Sequence, residues 1–229
     1  MQQIDVVERF IAERFPGVLI ALVAGSTARG TRTPTSDIDM LLIGEEMLAP
    51  GVASLAATYE YEGEIFEVFA YTREGFEDWA RTGLSQYRPF IVNMLLEGVP
   101  IRGELALSEL RASWRLIFDA GPVVSAHALA LRRYEVTDLL DDLRDALDPV
   151  ERHVVAFALF EKTAELILLD GGRWIGTGKY LTRRLRELSL ERADALTQPL
   201  IDGDLNTFAD RVEDELRRAG GRVQAGFVR

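Results

Sequence analysis

The sequence predicts an α+β fold: a small mixed sheet with flanking helices to about residue 120, then a C-terminal helical bundle. Three observations predict it. Two apolar runs of strand length, residues 18–24 and 40–43, lie close together. A third, residues 65–71, is built from β-branched and aromatic residues, which favour strands. Beyond Asp119-Ala120-Gly121-Pro122 almost every segment has helical period. Two domains follow: 1–120, carrying the chemistry, and 121–229, helical.

The elements are justified in order. Residues 3–15 read as a helix because Ile4, Val7, Phe10 and Ile11 recur at helical spacing and Pro16-Gly17 stops it. Residues 18–24 form the first buried strand. Gly25-Ser26 makes a sharp exit, and residues 26–30 suit a short helical turn. The polar run to Ser36 is turn chemistry, and residues 37–43 form the second strand. Residues 51–58 read as a weak helix, and 59–71 hold a third strand. Helices follow near 73–81, 87–97 and 104–118, with a short extended piece at 99–102. In the second half, helices are expected near 123–146, 150–170, 178–190 and 205–219. The breakers are Asp148-Pro149, Gly171-Gly172 and Asp202-Gly203. Residues 220–229 read as loosely held.

Composition narrows the function. The 229 residues contain no cysteine, which excludes a disulfide framework and a thiolate metal site. No apolar run approaches the roughly 18 residues of a membrane span, and no signal peptide is visible at the N-terminus. A cytoplasmic location is expected. The net charge of −11 argues against broad nucleic-acid binding and suits a cationic small molecule.

The chemistry is concentrated between Ala24 and Ile43. Asp37 and Asp39 stand one residue apart at the start of an apolar segment. Residues i and i+2 of a strand share a face, so both carboxylates project together. Two carboxylates in an apolar element call for a positive partner, and a hard divalent cation such as Mg2+ is the natural one. Glu67 is a lone acid in the third strand; Glu60, Glu62 and Glu64 compete with it but fall where a loop near Gly63 is expected.

Gly25-Ser26, then Asp37-Ile38-Asp39, then Glu67 resembles the nucleotidyltransferase superfamily that includes DNA polymerase beta. It looks most like the two-domain bacterial members, among them the aminoglycoside nucleotidyltransferases. The resemblance covers about residues 18–71, and more weakly residues 174–180. It implies a transfer of a nucleoside monophosphate, AMP from ATP by expectation, to a hydroxyl, with release of pyrophosphate. Asp37 and Asp39 would bind two Mg2+ ions roughly 3.5–4 Å apart that clamp the attacking and leaving oxygens. By resemblance Glu67 completes the metal site, acts as general base on the acceptor hydroxyl, or does both. Gly25, Ser26, Arg29 and Ser36 are the residues expected at the nucleotide; Arg32 lies in the same loop, as a triphosphate ligand or a surface cation. The acceptor implied is a small molecule, with cationic aminoglycosides as one candidate. Two rival readings are a protein AMP-transferring enzyme of toxin–antitoxin type and a nucleotide-binding module without turnover.

The helical half adds two candidates. Gly176-Thr177-Gly178-Lys179 lacks the frame of a P-loop, since position 173 is Arg and Tyr180 follows the lysine. Thr177 can still cap a helix whose N-terminus attracts anions. By resemblance, Lys179 and Tyr180 reach the β- and γ-phosphates. Asp138, Asp141, Asp142 and Asp145 share one helix face, opposite Val136, Leu139, Leu140, Leu143 and Leu147. This stripe is either a solvated surface or, through Asp138 and Asp142, a contact for an amine-bearing acceptor. His127 and His153 show no metal spacing.

Overall fold

The computed structural model describes residues 2–228. The chain divides into two compact units, Met1–Ala120 and Gly121–Arg229. The first unit contains a five-stranded sheet in the order β3-β4-β2-β1-β5. Its strands are β1 (Ile20–Val23), β2 (Ile38–Ile43), β3 (Ser54–Tyr61), β4 (Glu64–Tyr71) and β5 (Val99–Arg102). The β2–β4 pair is parallel; β1–β2, β1–β5 and β3–β4 are antiparallel. The sheet is therefore mixed, as the sequence predicts.

Helices α1 (Gln2–Arg14), α2 (Gly25–Ala28), α3 (Arg73–Ser85), α4 (Phe90–Glu97) and α5 (Glu104–Asp119) complete this unit. Strand alternation sends side chains to two separate cores. On one face Val7, Phe10, Ile11 and Phe15 from α1 and the turn after it pack on Ala21, Val23, Met40, Leu42 and Val68. Phe10 stacks on Phe66 with ring centroids 4.1 Å apart. Burying each of these rings contributes about 2–3 kcal/mol. On the other face Ile20, Leu22, Leu41, Ile43 and Tyr71 pack on Phe76, Leu95, Leu107, Leu110 and Trp114 from α3, α4 and α5. Asp39 lies in the same alternating row as Leu41 and Ile43, and Glu67 in the row of Phe69 and Tyr71. The acids thus begin the rows whose later members are core.

One expectation fails here. Residues 51–58 are not a weak helix: residues 54–61 are the edge strand β3, paired with β4 from Ser54↔Tyr71 to Tyr61↔Glu64. Leu55, Ala57, Tyr59 and Tyr61 alternate with more exposed Ala56, Thr58 and Glu60. The two alanines masked that period. Glu62 and Gly63 close the hairpin with φ of 49° and 80°. Two central residues with positive φ define a type I′ turn, whose twist matches the strands it joins. Glu62 adopts the left-handed conformation at some cost, and Arg9 of α1 holds it, with Nε donating to its carboxylate at 2.8 Å.

The second unit consists of α6 (Ala126–Asp145), α7 (Pro149–Asp170), α8 (Lys179–Leu188), α9 (Leu190–Ile201) and α10 (Leu205–Arg218). The latter half of α7 is its centre. Residues 163–169 are all buried, and α7 packs against α6, α8 and α10. A helix apolar around its circumference belongs in the middle of a bundle. Glu165 is buried there and is neutralised by Arg132 of α6 at 2.9 Å. Helix α9 is absent from the sequence reading, which left residues 191–204 unassigned. Ser189 caps it by accepting from the Arg192 amide, and Pro199 falls in its last turn. Leu147 is 94% exposed beyond the end of α6, not part of its buried face.

From Arg222 to Phe227 the tail is also not loosely held, and Arg229 lies outside the described residues. Arg222 donates to Glu213 and Asp141, Gln224 donates to Asp141, and Phe227 stacks on His127 and Tyr134. Among the described residues, no helix is long and apolar enough to cross a membrane.

Candidate active site

The site begins where β1 ends. The Ala24 amide donates to the Asp39 carbonyl at 2.8 Å, which ties the end of β1 to the second acid. Gly25 follows with φ +63°, and a Cβ there would collide with the Asp39 carboxylate. Only glycine serves both demands. Residues Gly25–Ala28 then make the single turn α2. The first N–H groups of such a turn have no acceptor within it and suit phosphate oxygens.

The chain reaches β2 through a loop knotted by its own polar groups. Thr31 N–H donates to the Ser26 carbonyl at 3.0 Å, and Ser36 N–H to the Thr33 carbonyl at 3.0 Å. The Ser36 hydroxyl accepts from the Thr33 amide at 2.9 Å. That is a loop-closing role for a residue read as nucleotide-facing. The Thr27 hydroxyl donates to the Asp37 carbonyl at 3.3 Å. Asp37 itself falls one residue before β2.

Register supplies the third acid. In the parallel β2–β4 pair, Asp39 lies opposite Glu67. Carboxylate oxygens of Asp37, Asp39 and Glu67 come within 4.8 Å of one another, and all three residues are partly buried. Burial first, then the charges of Asp37 and Asp39, then hydrogen bonding to both push the Glu67 carboxyl above its ordinary value. Three hard oxygen donors crowded this way fit a divalent cation, which would relieve the repulsion that raises Glu67.

Arg32 does not stand free in the loop. It pairs with Glu64, whose carboxyl is held below its ordinary value chiefly by that hydrogen bond. Sequence reasoning missed this pair by placing Glu64 in a loop. The period-two pattern of residues 54–61 is the signal that would have put Glu64 on a strand. Arg29 is exposed at the end of the α2 turn.

The remaining predicted residues lie in the second unit. Gly178, with φ 53° and ψ −126°, precedes α8 as its cap without a side-chain hydrogen bond, so Thr177 does not cap through its hydroxyl. Its carbonyl accepts instead from the Tyr180 amide at 3.1 Å. Lys179 is exposed in the first turn, its Nζ 5.7 Å from the centre of the Tyr180 ring. Arg183 covers the same ring at 5.0 Å. Asp138 and Asp142 are exposed on α6, whereas Asp141 accepts from Arg222 at 2.7 Å and from Gln224 at 2.8 Å.

A mixed sheet that aligns an Asp-x-Asp with a glutamate on the neighbouring parallel strand, beside a Gly-Ser turn, defines a class of phosphoryl-transferring domains. Residues 4–96 match the nucleotidyltransferase domain family. That segment is a nucleotidyltransferase domain, and with the Asp37, Asp39 and Glu67 cluster inside it the chain is an enzyme of the nucleotidyltransferase class. Among solved structures it is similar to a nucleotidyltransferase-like protein from Exiguobacterium sibiricum 255-15. That likeness has a TM-score of 0.50 at 13% identity, over 94% of this chain and 75% of that one. At this identity it speaks to the fold. No curated protein matches the chain.

Proposed function

We propose that the protein is a Mg2+-dependent enzyme that moves AMP from ATP to a hydroxyl of a small, cationic acceptor, releasing pyrophosphate. The observation that carries this reading is the gathering of the Asp37, Asp39 and Glu67 carboxylates within 4.8 Å beside the Gly25-Ser26 turn.

In this reading Asp37, Asp39 and Glu67 hold the metal. Bound there, it would supply charge neutralisation for the phosphoryl group and leaving pyrophosphate. Gly25 leaves room for the Asp39 carboxylate, and Ser26 with the α2 amides receives phosphate oxygens. Glu67, a partly buried carboxylate in the same cluster, is also assigned to take the acceptor proton. Arg29, Lys179 and Tyr180 are assigned to the nucleotide, and the loop-closing Ser36 acts by shaping the turn before Asp37. Asp138 and Asp142 are assigned to an amine-bearing acceptor, of which an aminoglycoside is one example. The acidity of the chain supports a cationic acceptor, with a net charge of −11.

The deciding experiment incubates the protein with ATP, Mg2+ and a panel of hydroxyl-bearing amines and neutral sugars, read by mass shift. An added AMP on a small amine supports the reading; an added AMP on a protein redirects it to protein modification. No product and no pyrophosphate from any acceptor would sink it. Asp138→Asn or Asp142→Asn is expected to weaken acceptor binding severalfold while ATP affinity stays level, since one exposed charge is worth about 1 kcal/mol or less.

A further inference from the structure

Asp37 is the one member of the acidic cluster that the sheet does not hold. The β2–β4 register begins at Ile38↔Phe66, one residue after it. Something else must set its distance from Glu67. One guanidinium grips both sides. Arg32 Nε and Nη2 donate to the carbonyl of Ser36, the residue before Asp37, at 3.2 and 3.0 Å. Nη1 and Nη2 of the same group donate to the carboxylate of Glu64, Nη1 at 3.2 Å. Glu64 opens β4, the strand that carries Glu67. The pair is about three-quarters buried, with side chains 23% and 28% exposed. A planar fork of donors can hold a carbonyl and a carboxylate in one geometry, which an ammonium cannot.

We propose that Arg32 and Glu64 are positioning residues: they form a latch that fixes the loop before Asp37 to the strand of Glu67 and so sets the spacing of the metal-binding acids. This rests on the metal-dependent reading above. Neither residue touches the metal or substrate in this role. Latch and plain electrostatics make opposite predictions. By charge alone, removing the Arg32 cation strengthens cation binding nearby. By the latch, removing it loosens Asp37 and weakens binding.

The test is Mn2+ binding to the full chain, followed by electron paramagnetic resonance of the free ion, without nucleotide. Arg32→Ala, Arg32→Lys and Glu64→Ala are each expected to lose about tenfold in Mn2+ affinity, the usual size for an outer support of a metal ligand. The double variant is expected to lose no more than either single change, because the two residues act as a unit. Circular dichroism checks the fold, and Arg32→Lys, which keeps the charge but loses the fork, carries the test if Arg32→Ala is unstable. Unchanged or tighter Mn2+ binding in Arg32→Ala, additive losses in the double variant, or full retention in Arg32→Lys would each overturn the latch. So would a loss of ATP affinity in Arg32→Ala with a gain in Glu64→Ala, which makes Arg32 a phosphate ligand. Asp39→Asn separates the two readings. If the unmodified protein binds Mn2+, Asp39→Asn does not, and the Arg32 and Glu64 variants match the unmodified protein, only the latch fails. If the unmodified protein binds no Mn2+, the metal reading falls and takes the latch with it.

Discussion

Two groups of acids meet different fates in this molecule. On the sheet, Asp37, Asp39 and Glu67 converge, and burial, then the charges of the two aspartates, pushes the Glu67 carboxyl upward. On α6 and α10 the chain answers its acids from within. Arg222 pairs with Asp141 and Glu213, and Arg144 pairs with Glu213 at 2.9 Å. The hydrogen bonds from Arg222 and then Arg144, with their charges, hold Glu213 down at about 2. In both groups the fold brings acids from separate elements together. The difference is that Asp141 and Glu213 are met by arginines of the same unit, whereas the three acids on the sheet crowd within 4.8 Å of one another and suit a cation from outside.

That contrast can be broken or sharpened by experiment. Asp39→Asn is expected to have the largest effect, a loss of about a thousandfold or more in pyrophosphate release with ATP and acceptor, because it removes a proposed metal ligand. Undiminished turnover in this variant would falsify the metal assignment. Gly25→Ala comes next. Its methyl group meets the Asp39 carboxylate at a positive φ, so a stability loss of about 2 kcal/mol is expected in urea titrations, together with loss of Mn2+ binding. A fully stable, Mn2+-binding variant would show that the Asp39 carboxylate can swing away at no cost.

The third prediction concerns pH. Glu67 titrates above its unfolded value of 4.5 in the metal-free fold, so the folded state holds that proton more tightly. Its contribution is present below 4.5 and is lost as pH rises through the folded value. Mn2+ competes with the proton, so the Mn2+-induced rise in Tm is expected to grow as pH rises from 4.5 through the raised folded value. Glu67→Gln should flatten the metal-free pH dependence. The smallest of these effects belongs to the compensated group. Glu213 has a depressed value, so its contribution is present above 4.5 and lost as pH falls through about 2. With partners 21% and 31% exposed, Arg222→Gln is expected to cost about 1 kcal/mol near neutral pH, leaving ATP affinity unchanged. An effect on ATP binding would show that the tail does more than strap α6 to α10.

Much of this was legible in the residues. The strand–turn–Asp-x-Asp order needs only period two and turn chemistry, and it places Gly25, Asp37 and Asp39 within one short stretch. The helical half follows from period 3.6, except where Pro199 and a short connection through Ser189 hid α9. The edge strand β3 was misread because alanines carry little strand signal; its partner β4 stabilises it by pairing. Misplacing that strand also misplaced Glu64, and with it the partner of Arg32. The tail looked loose because two of its anchors, Asp141 and Tyr134, are far from it in sequence.

By itself the sequence determined which residue types stand at the Gly-Ser turn and the Asp-x-Asp strand, and that these are neighbours along the chain. Local geometry suffices for that, because a turn and an i, i+2 pair are properties of a few consecutive residues. The sequence reached Glu67 as the third acid only through a family resemblance; the tertiary structure decided that it lies opposite Asp39 and that Arg32 answers to Glu64. Both depend on the parallel register of β2 with β4, and register is set by the two cores that pack against the sheet.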